Sequence, residues 1–364
     1  MKYLFASGGT AGHINPALAI AETVKKNDRN AEIFFLGSLH GVEGELLKKT
    51  DYPLYRIAIR GFERKFSLKN LASLYYALLA PTRAKHIIRK LSPAIVIGTG
   101  GYASWPAAVA AHSLHIPVVL HESNAYPGLS IRMAEKCADK ILLNFEEAKK
   151  HLKAPEKAVT VGNPIRSGFR ETREAARARL GLRRNDLFLL SFGGSLGASV
   201  INENLLSWLT ERGKYIDNLY CTHSLGINEA KKYADYAQKN DLPSRFRILP
   251  YIDSISTLMS AADITVSRAG ASTITELAAS RAAAILIPSP YVAEDHQTKN
   301  AKALEEKGAA ILLNEKTLTN ETFSDTLEHL IASPHLRETM RKRIAEFYSP
   351  KTNALIYREI ASLL

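Results

Sequence analysis

Residues 6–15 read ASGGTAGHIN and end a short apolar run that starts at residue 2. A glycine-rich turn between a strand and a helix lets backbone N–H groups approach an anion without interference from side chains. The N-terminus of the following helix adds a favourable dipole. In a parallel sheet, ligands bind at the carboxyl ends of the strands. The stretch therefore predicts a strand, a tight turn and a helix that together bind a phosphate or a diphosphate.

The same pattern returns in the second half of the chain. GGTAG at 8–12 and GGSLG at 193–197 both fit Gly-Gly-[Ser/Thr]-x-Gly and follow apolar runs, and a third glycine turn, IGTGGYAS, lies at 97–104. The first loop has neither the Gly-Lys-Ser/Thr ending of a Walker loop nor the Gly-x-Gly-x-x-Gly dinucleotide fingerprint. One such loop could be only a tight turn. Three in these positions favour anion binding, and the matching pair predicts two domains of similar design.

Short apolar runs alternate with longer amphipathic stretches along all 364 residues. Nearly continuous apolar runs are typical of strands covered on both faces, so we predict an α/β protein with doubly wound parallel sheets. We expect an N-terminal domain at 1–162, a C-terminal domain at 163–350 and a last helix at 351–364 that packs on either one. The predicted strands are residues 2–7, 31–37, 94–98, 117–121, 139–144, 186–192, 218–222, 245–249, 262–266, 283–288 and 309–313.

The net charge of +12 is unevenly distributed, because residues 56–90 contain nine basic side chains and one acidic side chain, Glu63. A local basic face implies an anionic partner: phosphate, nucleic acid or acidic lipid. No nucleic-acid recognition motif accompanies this charge, so we do not expect nucleic acid as the partner. The basic side chains are Arg56, Arg60, Arg64, Lys65, Lys69, Arg83, Lys85, Arg89 and Lys90.

A predicted helix at 68–91 carries apolar residues at helical spacing: Leu71, Leu74, Tyr75, Leu78 and Leu79. The usual explanation is a helix that faces the core, and the alternative is an apolar patch ringed by basic residues that binds a membrane surface. No run approaches the roughly 18 apolar residues of a membrane span, and no secretory signal is visible. We therefore expect a soluble or peripheral protein.

The two cysteines, Cys137 and Cys221, lie far apart and have neither metal-ligand nor redox spacing. A reduced compartment is the simplest interpretation, without a disulfide framework. No cluster of histidine, cysteine and acidic residues has convincing metal spacing. We therefore expect no metal site.

Seven motifs occur in a fixed order over nearly the whole chain: SGGTAGHINPALAIA, GTGGYASWPAAVAA, HESNAYPG, VGNPIR, FGGSLGA, SRAGASTITELAA and EDHQTKNA. With them the chain resembles the MurG family, the bacterial N-acetylglucosaminyltransferases of peptidoglycan synthesis. The resemblance implies a GT-B fold, in which two Rossmann-like doubly wound domains face each other across a cleft. It also implies transfer of N-acetylglucosamine from UDP-N-acetylglucosamine to the 4-hydroxyl of a lipid-linked muramoyl-pentapeptide acceptor, with inversion.

The resemblance further implies that no cofactor or bound metal is needed. It places the enzyme at the cytoplasmic face of the cell membrane, as a peripheral protein on an anionic membrane surface. The N-terminal domain would bind the acceptor and the membrane, and the C-terminal domain would bind UDP-N-acetylglucosamine.

Matching motif positions carry expected roles. Thr10, Ala11 and Gly12 should line the donor and acceptor site, and we expect Gly100, Gly101 and Tyr102 at the acceptor diphosphate. The expected contacts of UDP-N-acetylglucosamine further along the chain are Asn124, Arg166, Ser195, Ile252, Ala271, Ser272, Thr273, Ile274, Thr275, Glu276 and Gln297. Position 11 departs from the family, since many members have glycine there. We expect that Ala11 does not need a positive φ.

Inverting glycosyl transfer needs a base for the acceptor hydroxyl and stabilisation of the departing diphosphate. His13 is the candidate base, and its alternative role is to order the loop or bind phosphate. Arg166 or Arg268 could bind the diphosphate, or either could form an ordinary ion pair. Glu276 could accept both ribose hydroxyls, or it could close a capping box that begins at Thr273.

Three further side chains have weaker assignments. His121 and Glu122 either take part in the chemistry or orient the loop that carries Asn124, and His296 could contact the acceptor or the diphosphate. Other functions stay open at this point: a UDP-sugar transferase with another acceptor, a UDP-sugar 2-epimerase, or a non-catalytic UDP-sugar-binding protein at the membrane. Only the transferase predicts UDP release that depends on a muramoyl acceptor.

Overall fold

A computed structural model describes residues 1–39, 41, 43–48, 50–59, 68–165, 169, 171–253, 255–292 and 295–364. The chain divides into two compact units. The first, called here the N-terminal unit, comprises Met1–Arg166 and Ser349–Leu364. The second, the C-terminal unit, comprises Ser167–Tyr348.

The N-terminal unit is built on a seven-stranded sheet in the order β3-β2-β1-β4-β5-β6-β7. Every neighbouring pair in this sheet is parallel. The strand order reverses between β1 and β4, and such a switch point is where open α/β sheets bind ligands. The strands are β1 Lys2–Ala6, β2 Glu32–Ser38, β3 Leu54–Ile57, β4 Ile95–Gly98, β5 Val118–Glu122, β6 Lys140–Leu143 and β7 Ala158–Thr160.

Helices cover both faces of this sheet, because alternate residues of each strand point to opposite sides. Tyr3 and Phe5 pack in the buried cluster that contains helices α1 and α14, and Leu4 and Ala6 pack in the cluster that contains α3, α4 and α5. The helices of this unit are α1 Ala11–Asn27, α2 Glu43–Leu47, α3 Leu68–Leu91, α4 Ser104–His112, α5 Leu129–Ala134 and α14 Thr352–Ala361.

The C-terminal unit contains a six-stranded sheet in the order β10-β9-β8-β11-β12-β13, again with parallel neighbours only. Its switch point lies between β8 and β11, the counterparts of β1 and β4. Counted within each unit, the order 3-2-1-4-5-6 is common to both, as in dinucleotide-binding folds. The strands are β8 Leu187–Phe192, β9 Leu219–Ser224, β10 Phe246–Leu249, β11 Ile264–Ser267, β12 Ala283–Leu286 and β13 Ala310–Leu312.

Helices also cover both faces of the second sheet. Leu187 and Leu189 join the buried cluster with α7 and α12, and Phe188 and Leu190 join a cluster with α6 and α9. The helices are α6 Arg173–Arg179, α7 Ser199–Glu211, α8 Tyr236–Lys239, α9 Ile255–Ala261, α10 Ala271–Ala279, α11 His296–Glu305, α12 Asn320–Ala332 and α13 Pro334–Ile344. The predicted fold class is confirmed: both units are doubly wound parallel α/β sheets.

All eleven predicted strands are present with small differences at their ends, and β3 and β7 were not predicted. Both are edge strands with exposed polar residues, Arg56 in β3 and Thr160 in β7, so neither gives a continuous apolar run. Helix α14 packs against α1, where Ile356 and Ile360 are fully buried. In the part of the chain that the structure describes, no helix is both long enough and apolar enough to cross a membrane.

Candidate functional site: the carboxyl edge of each sheet

Three loops meet at the carboxyl edge of the N-terminal sheet, after β1, β4 and β5. They carry the residues predicted from the first half of the chain: Thr10 to His13 after β1, Gly100 to Tyr102 after β4, and Asn124 after β5. The first two loops flank the switch point, because β1 and β4 are hydrogen-bonded neighbours. The structure therefore brings these residues together at one edge of one sheet.

The first two loops cross at glycines. Gly101 has a φ of +77°, and a Cβ atom added there would lie 1.8 Å from the carbonyl oxygen of Gly8. Only glycine fits a crossing this close. The Ser104 hydroxyl reinforces the junction, since it donates to the Ala6 carbonyl at 2.7 Å and accepts from the Gly100 N–H at 2.9 Å. These contacts fix the loop after β4 against the loop after β1.

Main-chain amides remain open at this junction. The N–H groups of Thr10, Ala11 and Gly12 donate no hydrogen bond to any described residue, and the same is true of those of Gly101 and Tyr102. The first three open helix α1, whose N-terminal amides have no partner within the helix. Ala11 is helical and is not among the described residues with positive φ, so the expectation for this position is confirmed.

His13 lies in the first turn of α1 with its ring against Gly100. Its Nδ1 atom lies 3.2 Å from the Gly8 carbonyl oxygen and 3.2 Å from the Thr10 hydroxyl. A carbonyl oxygen only accepts, so this contact forms when Nδ1 carries the hydrogen, and the lone pair is then on Nε2. Thr99 donates to the main-chain carbonyl of His13 at 2.8 Å and ties the helix to the loop after β4.

Asn124 is held by Glu122, a buried carboxylate at the end of β5. One Glu122 oxygen accepts from the Asn124 backbone N–H at 2.8 Å and from its side-chain amide at 2.9 Å, and the other accepts from the Gly128 N–H at 2.8 Å. Burial raises the pKa of Glu122, and these hydrogen bonds oppose the shift. Of its two predicted roles, the geometry supports the orienting one.

The neighbouring histidine is also in a structural setting. His121 is fully buried, and its Nε2 lies 3.3 Å from the Gly162 carbonyl oxygen. Burial lowers the pKa of His121 to about 4, so the ring is neutral near pH 7. A neutral buried imidazole that contacts the main chain supports the loop.

Glu43 at the start of α2 also supports the site, and the sequence interpretation missed it. Its side chain is 2% exposed and accepts from the Gly9 N–H at 3.2 Å. The same oxygen accepts from the N–H and the hydroxyl of Ser38, each at 3.1 Å. Glu43 therefore fixes the glycine loop after β1 through its contact with the Gly9 N–H. Nothing in its local sequence signals this, because its partners lie in the loop after β1 and at the end of β2.

In the C-terminal unit, the loop after β8 matches the loop after β1. Gly194 and Gly197 have φ values of +91° and +94°, and Ser195 between them is exposed. The N–H groups of Gly194, Ser195 and Leu196 make no hydrogen bond with described residues. Gly197 crosses Gly226 so closely that a Cβ added to Gly226 would lie 2.1 Å from the backbone of Gly197. The open amides and the glycine crossing thus recur in this unit, although the crossing partner follows β9.

Helix α10 supplies a second set of amides after β11. It begins at Ala271, with Gly270 as its N-cap, so Thr273 lies inside the helix and cannot start a capping box. The capping-box alternative for Glu276 is therefore wrong. Glu276 lies in the second turn and is half-buried. The predicted segment thus combines a helix N-terminus with a carboxylate on the same helix.

The remaining predicted residues follow neighbouring strands. Ile252 comes after β10, and Gln297 lies in the first turn of α11, where its side-chain oxygen accepts from the Ser289 N–H at 2.9 Å. Ser195, Ile252, the α10 segment and Gln297 thus share the carboxyl edge of one sheet. Arg268 forms an ion pair with Glu315, which supports the ion-pair interpretation of that arginine.

Arg166 lies outside the described residues, so the structure gives no contact for it. Among the residues that it does describe, no group of three or more histidine, cysteine or acidic side chains could hold a metal ion. Cys137 and Cys221 are both free, and burial raises the pKa of the Cys221 thiol. The arrangement of each edge is that of an anion site built from main-chain amides.

Comparison with known proteins identifies the family. The glycosyltransferase family 28 N-terminal domain matches residues 3–143, and the glycosyltransferase family 28 C-terminal domain matches residues 188–354. A curated relative from Thermoanaerobacter sp. (strain X514) is 38% identical over 366 residues, which cover 100% of both chains. Its name is UDP-N-acetylglucosamine--N-acetylmuramyl-(pentapeptide) pyrophosphoryl-undecaprenol N-acetylglucosamine transferase.

Solved structures agree with this match. The crystal structure of Acinetobacter baumannii MurG is 28% identical, covers 99% of each chain and superimposes with a TM-score of 0.78. UDP-GlcNAc 2-epimerase from Neisseria meningitidis, bound to UDP-GlcNAc, covers 100% of each chain with a TM-score of 0.67. It is only 13% identical, so this likeness shows the fold alone. The full-length identity to the transferases places the chain in the MurG family of glycosyltransferases, within glycosyltransferase family 28.

Proposed function

We propose that this protein transfers N-acetylglucosamine from UDP-N-acetylglucosamine to the 4-hydroxyl of undecaprenyl-diphospho-N-acetylmuramoyl-pentapeptide, with inversion at the anomeric carbon. The reaction belongs to peptidoglycan synthesis. The observation that carries the proposal is the full-length identity to transferases named for this donor and this acceptor. The two units agree with it, because both substrates contain a diphosphate and each unit has open main-chain amides at the carboxyl edge of its sheet.

In this proposal the C-terminal unit binds the donor. The open amides of Gly194 to Leu196 and the exposed Ser195 hydroxyl would bind the UDP diphosphate, helped by the N-terminus of α10. Glu276 would accept the ribose hydroxyls, Ile252 would contact the uracil through its backbone, and Gln297 would reach the sugar hydroxyls. Preorganised donors at the departing diphosphate stabilise the charge that develops in the transition state.

The N-terminal unit would bind the acceptor. Gly101 and Tyr102 have open amides for the acceptor diphosphate, and Gly100 gives the His13 ring the space it occupies. Thr10, Ala11, Gly12 and Asn124 are expected to contact the donor sugar and the acceptor. Arg166 is kept as a diphosphate ligand on the basis of its motif alone.

His13 is proposed as the general base. The Nδ1 contact with the Gly8 carbonyl selects the tautomer in which Nε2 has the lone pair. Nε2 would take the proton of the acceptor 4-hydroxyl as the oxygen attacks the anomeric carbon and the bond to UDP breaks. The Gly8 carbonyl then stabilises the imidazolium that forms, because it accepts from the other ring nitrogen.

We further propose that the N-terminal unit contacts an anionic membrane surface at the cytoplasmic face. Among the described side chains of α3, the buried apolar residues are Ala80, Ala84, Ile88 and Leu91, whereas Tyr75 and Leu78 are 60% and 69% exposed. The core-facing interpretation is therefore wrong for Tyr75 and Leu78. Leu71 and Leu74 have no described side chains, and Arg60, Glu63, Arg64 and Lys65 lie outside the described residues.

Helix α5 adds to this exposed apolar surface. It packs on α4, which packs on α3, and its Leu129 and Met133 are 56% and 46% exposed. Arg83 stacks on Tyr76 in α3, and Arg132 on α5 stacks on Tyr126. Apolar side chains bordered by arginines suit the interface of an anionic bilayer, where a lipid-linked acceptor would lie.

The function is tested by UDP release with UDP-N-acetylglucosamine, with and without a short-chain lipid-linked muramoyl-pentapeptide analogue. We expect release only when the acceptor is present. A 2-epimerase would instead change the donor sugar without the acceptor, and a binding protein would release no UDP with either mixture. Either result would contradict the proposal.

His13→Ala should lower kcat by about 10²–10⁴-fold with little change in KM for the donor, since a general base acts only in the transition state. Steady-state kinetics with saturating acceptor measure kcat and the KM for the donor. His112→Ala is the matched control, because His112 is exposed on α4 and should leave kcat unchanged. A loss below about tenfold for His13→Ala would exclude its role as the base.

Glu276→Gln should raise KM for UDP-N-acetylglucosamine by about tenfold or more and change kcat less, because a charged acceptor for the ribose hydroxyls is lost. Glu305→Gln, an exposed acid on α11 of the same unit, is the control with an expected KM equal to that of the wild type. An unchanged KM in Glu276→Gln argues against ribose binding by this carboxylate.

Tyr75→Glu should lower the fraction bound to vesicles of phosphatidylglycerol and phosphatidylcholine by about tenfold, through lost apolar burial and added negative charge. Vesicle flotation measures the bound fraction. Tyr215→Glu places the same change on a 72% exposed tyrosine of the C-terminal unit and should bind like the wild type. Equal recovery of the wild type with and without anionic lipid would remove the electrostatic part of the proposal.

A further inference from the structure

A basic cavity lies in the C-terminal unit, far from the glycine loop after β8. Its volume is about 650 Å³, within the range of small-molecule sites. Three of its residues precede strands: Arg184 before β8, Asp263 before β11 and Arg281 before β12. The cavity therefore lies at the amino edge of the sheet. The proposed nucleotide site lies at the carboxyl edge, about 20 Å away along a six-residue strand.

Six cationic side chains line the cavity, against three carboxylates. Asp263 is already occupied, since it accepts from Arg173 at 2.5 Å and from Arg177 at 2.9 Å. The other two carboxylates, Glu174 and Glu338, are exposed. The cavity thus has an excess of positive charge that its own acids do not balance. The cations are Arg173, Arg184, Arg281, Arg337, Arg341 and Lys342.

The main observation concerns the guanidinium of Arg341. Its side chain is 16% exposed, yet its guanidinium makes no hydrogen bond to any described residue. The nearest carboxylate oxygen, on Glu338, lies 3.7 Å from Nε, beyond hydrogen-bond distance. Arg341 forms an ion pair with Glu338, and its guanidinium has five N–H donors. None of its nitrogens is both buried and without a partner, so these donors are open to a bound anion at the cavity.

The other cations differ in their partners, since Arg173 and Arg337 donate to main-chain carbonyls and Lys342 forms an ion pair with Glu338. Arg184 and Arg281 are exposed at the rim and form no ion pair with the described part of the chain. Burial lowers the pKa of Arg173, Arg337 and Arg341, neighbouring carboxylates oppose this shift, and neighbouring guanidinium groups add a smaller lowering. A bound anion would act on these pKa values in the same direction as the carboxylates.

We infer that this cavity binds a compact multivalent anion that carries phosphate groups. Arginine favours phosphate because its planar fork donates two parallel hydrogen bonds. Among the described residues, no aromatic side chain lines the cavity and Pro334 is the one apolar residue, so none of them can stack on a nucleobase. The ligand class is therefore a non-aromatic diphosphate or bisphosphate, distinct from the nucleotide of the proposed reaction.

Isothermal titration with sodium diphosphate, in phosphate-free buffer of fixed ionic strength, tests this inference. The wild type should show binding beyond that of the nucleotide site. Arg341→Gln should weaken this added binding by about tenfold or more, the loss expected for charge-assisted hydrogen bonds. The double variant Arg184→Gln/Arg281→Gln removes two exposed side chains that form no ion pair with described residues, and it should weaken the added binding by a similar factor. It keeps the test valid if Arg341→Gln is unstable.

Arg247→Gln is the matched control, because it removes one exposed positive charge of β10, outside the cavity. Its diphosphate affinity should stay within about twofold of the wild type, and UDP affinity should be unchanged in all variants. Absence of added binding in the wild type would overturn the inference. Equal weakening by Arg247→Gln would also overturn it, since it would show a general charge effect.

Vesicle flotation separates a free phosphate from a lipid headgroup. The wild type and Arg184→Gln/Arg281→Gln should bind phosphatidylglycerol vesicles equally. If the double variant loses vesicle binding and keeps its diphosphate affinity, the cavity is a lipid contact and the inference is wrong.

Discussion

Close backbone packing at glycines is the constraint on which both candidate sites depend. A main-chain amide can bind a phosphate only where no side chain blocks the approach and where neighbouring loops hold the turn open. Gly101 against Gly8 and Gly226 against Gly197 meet this requirement, because a methyl group at Gly101 or at Gly226 would overlap the backbone of its partner. The first crossing lies at the switch point between β1 and β4, whereas the second joins the loops after β8 and β9. In both units the first glycine loop follows the strand at which the order reverses.

Buried carboxylates hold the N-terminal loops in place. Glu43 accepts from the glycine loop after β1, and Glu122 holds the Asn124 loop after β5. The C-terminal unit instead uses Gln297, whose amide accepts from the loop after β12. Glu43 and Glu122 contact no substrate in the proposed mechanism, yet they determine the positions of residues that do. This matters because small displacements of positioned groups cost large factors in rate.

The same sheet architecture yields two chemically different edges in the C-terminal unit. At the carboxyl edge, anions would be bound by amides and helix dipoles. At the amino edge, they would be bound by guanidinium groups from α6, α13 and the segments before β8 and β12. The first kind of site appears in the sequence as a glycine motif. The second does not, because Arg173 and Arg341 are far apart in the chain and meet only in the fold.

The sequence by itself determined the fold class, most strands and the position of each glycine loop, because continuous apolar runs and glycine turns are local patterns. It also determined the family. It missed β3 and β7, whose short edge strands have exposed polar residues, and it left a capping role open for Glu276 until the start of α10 was known. Tertiary structure alone decided the contacts of Glu43 and Thr99 and placed Arg341 in the basic cavity. The groups around these side chains come from other segments, and no local pattern encodes contacts between distant segments.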